Sequence, residues 1–186
     1  MSASTTDTYK TIAAPAEGLF RDRGSKFLAY AFPVRTEAEA LARLEEVRKA
    51  HPKARHHCFA WRLGYDGTRF RANDDGEPSG TAGRPILGQI DSFGLTNVVV
   101  IVVRYFGGTL LGTSGLIRAY REATADALGK ARIVERVREQ HVRLSFDYTL
   151  MGPVMSALER LGLQPLSQQF DTAASLEVAI RLSELD

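Results

Sequence analysis

Apolar positions along the first half of the chain change period several times, and each change marks an expected strand or helix. Residues 25–34 are apolar and β-prone, which predicts a strand. A T-x-x-E capping box at 36–39 is followed by apolar residues at helical spacing, and this helix should end before Pro52. Residues 56–63 alternate with a period of two, which predicts a half-buried strand, and a second strand is expected at 68–72.

The middle of the chain places a continuous apolar run between two glycine-rich loops. Residues 98–103 are apolar and β-branched throughout, which predicts a central strand covered on both faces. A loop with three glycines at 74–85 and a short helix near 86–91 precede this strand. A second glycine-rich loop at 107–115 follows it, and a longer helix then runs to a stop at Gly129.

A second pattern begins after residues 130–140, which we interpret as a charged connector. Alternation at 142–146 predicts a strand, helical spacing comes next, and strands are expected at 164–170 and 175–182. A β-α-β-β run with one helix covers only one face of its sheet. We therefore expect a final α–β pair to be missing, with the chain stopping where residues 183–184 would begin another helix.

Composition excludes several classes of protein. The chain has 186 residues, 44% of them hydrophobic and 25% charged, as is usual for a globular protein. Its longest apolar run is far below the ~20 residues that cross a bilayer, so no membrane partner is expected. The single cysteine, Cys58, excludes an internal disulfide framework and a zinc site of several cysteines. A reducing, cytoplasmic setting fits best.

Charge is distributed unevenly, although the formal net charge is only +2. Residues 1–143 contain 22 basic and 16 acidic side chains, whereas residues 144–186 contain 2 basic and 6 acidic ones. The basic portion is compatible with a polyanionic partner, because a Lys or Arg that neutralises a phosphate releases counterions. An ordinary solvated surface explains the same numbers.

The first glycine-rich loop combines carboxylates with groups that could bind an anion. Its three acids could hold Mg²⁺ or Ca²⁺, although the spacing is not that of an EF-hand. Its glycines and hydroxyls could instead present backbone N–H groups to an anion at the start of the next helix. A purely structural turn is the third interpretation. The candidate residues are Asp74, Asp75, Glu77, Ser79, Gly80, Thr81 and Arg84.

The second glycine-rich loop joins the buried strand to the longer helix. Its spacing resembles G-x-x-x-x-G-K-[ST], but Thr113 stands where the lysine is needed, so a nucleotide triphosphatase is disfavoured. The G-x-G-x-x-G pattern of dinucleotide sites is also missing. A helix N-terminus beside arginines still favours a phosphate or carboxylate, and close helix-to-strand packing explains the glycines equally well. The candidate anion-binding residues are Arg104, Gly107, Gly108, Gly112, Ser114 and Arg118.

A metal centre has only a weak candidate set. His56 and Cys58 share a strand face, and Asp74 or Glu77 could complete a site only if the fold brings them near. A hydrogen-bonded core histidine is the interpretation we favour. Cys58 does not open a helix, which would lower its pKa, so nucleophilic catalysis has little support. We assign no catalytic residue, and we expect no metal and no other cofactor.

Four segments together resemble the Impact family in its bacterial, YigZ-type form. The resemblance implies an α+β chain whose two-layer first domain, residues 1–136, is similar to a small-subunit ribosomal protein domain and to domain IV of elongation factor G. It implies a small ferredoxin-like second domain, residues 137–186, incomplete at its end. The matching segments are GSKF at 24–27, HPKARHHCFAW at 51–61, DDGEPSGTAGRPIL at 74–87 and VVRYFGGTLLGTSGLIRAY at 102–120.

The resemblance also bears on function, because both of those structural relatives work on RNA within the ribosome. Eukaryotic family members have an extra N-terminal module and bind a large activator of the amino-acid-starvation kinase, but this chain lacks room for that module. No catalytic activity is established for the family. Carried over by position, the site residues would be Asp74, Asp75, Glu77, Ser79, Thr81, Arg104, Gly107, Gly108, Gly112 and Arg118.

Three functions remain open at this point. The first is a non-enzymatic RNA- or ribosome-binding protein that modulates translation, with RNA or the ribosome as partner, a protein partner in translation control as a further possibility, and no DNA specificity. The second is a metal-assisted hydrolase of a small phosphorylated or peptide-like substrate. The third is a protein-interaction module. If the two loops form one site, they should lie side by side with Arg104 or Arg118 at the rim.

Overall fold

The structure, a computed structural model, describes residues 7–181 of the chain. The strands are β1 Thr8–Ile12, β2 Ala16–Asp22, β3 Ser25–Pro33, β4 His56–Leu63, β5 Arg69–Asn73, β6 Val98–Tyr105, β7 Ile133–Val137, β8 Glu139–Phe146, β9 Ser167–Phe170 and β10 Ala174–Arg181. The α-helices are α1 Glu37–Ala50, α2 Gly83–Ser92, α3 Gly112–Lys130 and α4 Met151–Arg160. The mixed α/β class is confirmed.

The described residues fall into two compact units. Residues 9–136 form the larger unit, and residues 7–8 together with 137–181 form the smaller one. The end of the last expected strand, at Leu182, and the helix start expected at residues 183–184 lie outside the described residues. No helix among the described residues is both long enough and apolar enough to cross a membrane.

The larger unit is built on a five-stranded antiparallel sheet with the order β2-β3-β6-β4-β5. All six residues of 98–103 are completely buried in the central strand β6. Alternate residues of β6 belong to two different apolar clusters, so each face of the sheet has its own core. The prediction of a central strand covered on both faces is confirmed.

Helices cover both faces of this sheet, so the larger unit has three layers rather than the two expected. Helix α1 packs Ala40, Leu44 and Val47 into the cluster on one face, while α2 and α3 pack into the cluster on the other. Strand β4 is consequently buried on both sides, with Cys58 on one and Phe59 on the other, and not half-buried. The prediction of a half-buried strand was wrong because the small or polar residues on one face of β4 also pack under helices.

Three strands were not expected from the sequence. Strand β1 pairs with β7, and both β7 and the start of β8 lie in the segment interpreted as a charged connector. Their side chains are mostly exposed, so no apolar alternation marks them. Strand β2 was missed because Gly18 interrupts its pattern: a Cβ at this position would lie 2.4 Å from the Ala127 backbone nitrogen of α3. Glycine allows this close approach.

The smaller unit forms a three-stranded antiparallel sheet with the order β8-β10-β9. Helix α4 connects β8 to β9, which gives the split β-α-β arrangement of ferredoxin-like folds. Its core contains three buried residues, Leu158, Leu176 and Val178. The more specific likeness of either unit to ribosomal or elongation-factor domains stays a prediction.

Candidate functional site

The two glycine-rich loops lie side by side at one end of the five-stranded sheet. At this end β3 begins, β6 ends and β4 begins, so that Phe27 and His56 both pair with Arg104. The loops line a common cavity of about 320 Å³. The lining includes Arg55, His56, Glu77, Arg104, Phe106 and Leu111. The two loops therefore lie next to each other, as a single site formed by both would require.

The carboxylate of Asp74 is bound by backbone groups of the protein itself. One oxygen of its carboxylate accepts hydrogen bonds from the backbone N–H groups of Ala82 and Gly83, at 3.1 and 2.8 Å, and the other accepts from Gly80 at 2.9 Å. Ala82 and Gly83 form the start of α2, where N–H groups lack partners within the helix. The carboxylate of Asp74 therefore occupies the helix terminus that the sequence offered to an external anion.

The rest of the first loop is also held by internal hydrogen bonds. The side chain of Asp75 accepts from the backbone N–H of His57 at 2.7 Å, and Asp75 has a positive φ of 41°. The Thr81 hydroxyl is buried and donates to the carbonyl of Pro78 at 2.5 Å. Ser79 is exposed, and Gly80 has a φ of +79° that favours glycine. Thr81 thus stabilises a turn, whereas Ser79 remains accessible.

Glu77 and Arg104 form a buried ion pair at the floor of the cavity. The Arg104 guanidinium donates to Oε1 of Glu77 at 2.6 Å, and the two side chains are 8% and 1% exposed. The Arg104 guanidinium also lies over the rings of Phe27 and Phe106, 5.5 Å from each centroid. Arg104 is therefore beneath the cavity and not at its rim, which corrects the expected position.

His56 extends this pair into a cluster of three. Its Nδ1 donates to the carbonyl of Asp75 at 2.7 Å, since a carbonyl oxygen can only accept. Its Nε2 lies 3.0 Å from the same Glu77 oxygen that binds Arg104. His56 and Arg104 therefore both lie beside one oxygen of the Glu77 carboxylate.

Three other candidates lie outside the cavity lining. Arg84, Ser114 and Arg118 are exposed, and none of them lines the cavity. The Arg118 guanidinium instead lies 5.9 Å from the ring centroid of Phe20. The expectation that Arg118 stands at the rim is wrong. Arg118 is close to the glycine loop in sequence, but it lies on the second turn of α3 and does not line the cavity.

The glycines of the second loop have different roles. A Cβ on Gly107 would lie 2.0 Å from the carbonyl carbon of Gly24, so the loop packs directly against the β2–β3 turn. The backbone N–H of Gly107 also donates to the hydroxyl of Ser25 at 3.2 Å. Gly108 and Gly112 have φ values of +91° and +74°, and Gly112 lines the cavity. Gly107 is thus a packing residue, although it packs against a hairpin turn and not between a helix and a strand as the structural interpretation expected.

The Cys58 thiol is held by hydrogen-bonding groups of the protein itself. Its Sγ donates to the carbonyl of Asp74 at 3.1 Å and lies 3.4 Å from the hydroxyl of Tyr120. Burial raises the pKa of the Cys58 thiol, and burial also raises the pKa of the Tyr120 hydroxyl. Among residues 7–181 no group of three or more His, Cys, Asp or Glu side chains could hold a metal ion.

The motif segments that form this site match known proteins. The model of the Impact N-terminal domain matches residues 23–128. The chain belongs to the IMPACT family. IMPACT family member YvyE of Bacillus subtilis is 37% identical over 151 residues, or 81% of this chain and 70% of that protein. IMPACT family member YigZ of Escherichia coli is 33% identical over 170 residues, or 90% and 83% of the two chains. The predicted family is confirmed.

Solved structures include relatives of this IMPACT family chain. The crystal structure of a hypothetical protein is 31% identical, covers 97% of this chain and 88% of its own, and has a TM-score of 0.75. The structure of the two-domain translational regulator Yih1 is also 31% identical, covers 66% of this chain and 47% of its own, and has a TM-score of 0.40.

Four basic residues near the IMPACT motifs were missed as candidates. Arg21, Arg23 and Lys26 lie on the β2–β3 hairpin whose turn packs against Gly107, and the Arg55 guanidinium lies over the Phe106 ring at 4.8 Å from its centroid. Within the described part of the chain, none of the four forms an ion pair with a carboxylate. The density of three of them in the sequence RDRGSK was the available signal. We name these four residues the cationic rim.

A histidine bridges two tyrosines on the α1 side of the same sheet. Nε2 of His51 lies 2.6 Å from the hydroxyl of Tyr30, and its Nδ1 lies 2.7 Å from the hydroxyl of Tyr105. Burial, followed by the positive charges of His57 and Lys26, lowers the pKa of His51 below its ordinary value of 6.5. A neutral ring suits this bridge, because it offers one donor and one acceptor.

This bridge predicts a pH dependence of stability. Since the pKa of His51 is lower in the folded than in the unfolded chain, the unfolded chain binds the proton first as the pH falls. The free energy of unfolding should therefore decrease below about pH 6.5, and the His51→Gln variant should lose less over the same interval. Urea unfolding between pH 5 and 8 measures both. Equal losses in the two proteins would contradict this role.

Proposed function

We propose that this chain is a non-enzymatic RNA-binding protein that modulates translation, and that RNA lies across the cationic rim and the mouth of the adjoining cavity. The cationic rim carries the proposal. Its members Arg21, Arg23 and Arg55 are exposed, Lys26 is partly exposed, and none of the four is neutralised by a carboxylate of the described residues. Such side chains can each contact a phosphate.

The carboxylates of the first loop favour binding over metal-assisted hydrolysis. Asp74 accepts three backbone hydrogen bonds, Asp75 accepts one, and Glu77 is paired with Arg104. A divalent cation would have to displace these internal partners to gain oxygen ligands. The same pairing reduces the repulsion that these acids would otherwise exert on a polyanion. The hydrolase alternative therefore has no specific observation in its support.

Family membership supports the translational part of the proposal. The RNA would be ribosomal or a translation substrate, and the protein would act in the cytoplasm. We also propose a protein partner in translation control. We further propose that one domain ends at residue 136 and the next begins at residue 137. We expect no DNA specificity.

Binding of a labelled single-stranded RNA to the full chain tests this proposal. Log K should decrease linearly with log salt, with a slope of about −0.7 per phosphate contacted. The double variant Arg21→Ala/Arg23→Ala should bind more weakly, and its slope should be about 1.4 units shallower if both side chains contact phosphate. Fluorescence anisotropy at several salt concentrations measures affinity and slope together.

A matched control removes the same charge from the opposite end of the sheet. Arg35 lies two residues after the end of β3, and Arg69 begins β5 opposite Leu63 at the far end of β4. Both are exposed, so Arg35→Ala/Arg69→Ala should leave the slope nearly unchanged. If the full chain does not bind RNA at low salt, or if the control weakens binding as much as Arg21→Ala/Arg23→Ala, the proposal is wrong.

A further inference from the structure

The cavity between the loops has a polar floor whose hydrogen bonding is incomplete. Oε2 of Glu77 and Nε of Arg104 are buried and have no hydrogen-bond partner within the described part of the chain. Both residues line the cavity. Buried polar atoms nearly always have a partner in folded proteins, and an unpaired donor next to an unpaired acceptor calls for a specific explanation. A bound polar group is such an explanation.

The charge at the mouth of the cavity favours an anionic ligand. On the floor, the Arg104 guanidinium is paired with the Glu77 carboxylate at 2.6 Å. Arg55 adds a positive charge at the mouth of the cavity, where its guanidinium lies over Phe106. A site partly shielded from water strengthens attraction to a phosphate compared with an exposed surface.

The N-terminus of α3 opens onto the same cavity. Gly112 and Thr113 are the first two residues of this 19-residue helix, and both line the cavity. Among the described residues, no side chain is seen to accept a hydrogen bond from the first N–H groups of α3, whereas those of α2 bind the carboxylate of Asp74. The first N–H groups of a helix lack internal partners and carry the positive end of its dipole. Such a terminus binds phosphate readily.

The remaining walls of the cavity are apolar. Phe106, Leu111 and Leu116 contribute to the lining. Because the guanidiniums of Arg55 and Arg104 already lie over the Phe106 ring, a nucleobase would pack against the edge of this ring and against the leucines. The volume of about 320 Å³ lies at the lower end of the ~300–1,000 Å³ range of small-molecule sites. The cavity therefore suits one nucleotide and not a longer stretch of RNA.

We propose that this cavity binds a single nucleotide of the bound RNA, which it draws out of the strand. Its phosphate would lie at the N-terminus of α3 beside Arg55, and its base would contact Phe106 and Leu116. The base edge would reach towards the unpaired atoms of Glu77 and Arg104. This inference rests on the RNA-binding function proposed above and adds a pocket that holds one nucleotide of the RNA.

Isothermal titration of the full chain with adenosine 5′-monophosphate, adenosine and inorganic phosphate tests the pocket. The mononucleotide should bind at least about tenfold more tightly than adenosine or phosphate, because only it supplies both the base and the charge. It should also displace labelled RNA. Equal affinities for the mononucleotide and inorganic phosphate, or no binding at millimolar concentration, would overturn the proposal. Mononucleotide binding without displacement of RNA would overturn its assignment to a nucleotide of the RNA.

Thr113→Asp gives a sharper test, because Thr113 is exposed and faces the cavity from the first turn of α3. An aspartate there suits the helix dipole, so the melting temperature should be equal or higher. It should weaken mononucleotide binding at least about tenfold by occupying the phosphate position, whereas the neutral Thr113→Asn should bind nearly as the parent does. Unchanged binding by the stable Thr113→Asp protein would refute the pocket.

The two proposals fail in distinguishable ways. RNA binding that depends on Arg21 and Arg23 but is not competed by the mononucleotide would leave the proposed function standing and remove the pocket. If the protein binds the mononucleotide at Thr113 but does not bind RNA, the proposed function is wrong. The assignment of the pocket to a nucleotide of RNA is then wrong as well.

Discussion

Replacing Glu77 with alanine is expected to lower the free energy of unfolding by about 3–5 kcal/mol. Its carboxylate accepts from Arg104 at 2.6 Å, and both side chains are almost fully buried. The substitution leaves the guanidinium without its counter-charge in a poorly solvated position, and it also removes the group that faces Nε2 of His56. Urea unfolding of the variant and the parent chain measures the difference.

Two further variants distinguish the effect of breaking the buried ion pair from the effect of removing any charged side chain. Glu122→Ala removes an exposed acid that lies 3.9 Å from Arg121, and it should cost less than about 1 kcal/mol. The double variant Glu77→Leu/Arg104→Met should recover at least half of the loss, because an apolar pair of similar volume avoids the unpaired charge. A loss below about 1 kcal/mol for Glu77→Ala would show that the pair contributes little.

Replacing Gly107 with alanine is expected to destabilise the protein by about 2–3 kcal/mol. The new Cβ would lie 2.0 Å from the carbonyl carbon of Gly24 and 2.4 Å from the nitrogen of Ser25. All of the nearest atoms belong to backbone, so the loop must move away from the β2–β3 hairpin. RNA affinity should also decrease, since this packing positions the hairpin members of the cationic rim. Thermal unfolding and RNA titration measure the two effects.

Gly88→Ala is the matched control for this substitution. Gly88 lies inside α2, and a Cβ there meets no other atom within 4 Å. Alanine should stabilise the helix by up to about 0.5–1 kcal/mol and leave RNA binding unchanged. If Gly107→Ala is as stable as Gly88→Ala, the close packing of the loop on the hairpin is not a constraint on the fold.

Local chemistry made several elements predictable. One half of the capping box at Thr36 is formed in the structure, because the Thr36 hydroxyl accepts from the N–H of Glu39. The Glu39 carboxylate accepts from the N–H of Arg35, one residue before the cap. The all-β-branched run of β6 indicated burial on both faces because each of its residues is apolar. Whether the two glycine-rich loops form one site stayed conditional at the level of sequence, and the structure shows that each follows a strand of the same sheet.

What could not be predicted depends on contacts between distant residues. Whether Arg104 faces solvent or a buried acid depends on where Glu77 lies after folding, and 27 positions separate them. Likewise, Asp74 is equally suited to a metal and to capping a helix until its distance from Gly83 is known. Strand β7 has five largely exposed residues and takes its conformation from pairing with β1, which no local pattern reveals.

The carboxylate of Asp74 ties the first glycine-rich loop to the start of α2 through two hydrogen bonds and accepts a third from Gly80 within the loop. A loop fastened to a helix in this way opens only when the helix terminus also unfolds, so its amide protons should exchange with solvent as slowly as those of the first turn of α2. One wall of the cavity is then already in place before any ligand arrives. Little conformational entropy remains to be lost there on association, and recognition at this face resembles docking onto a rigid surface.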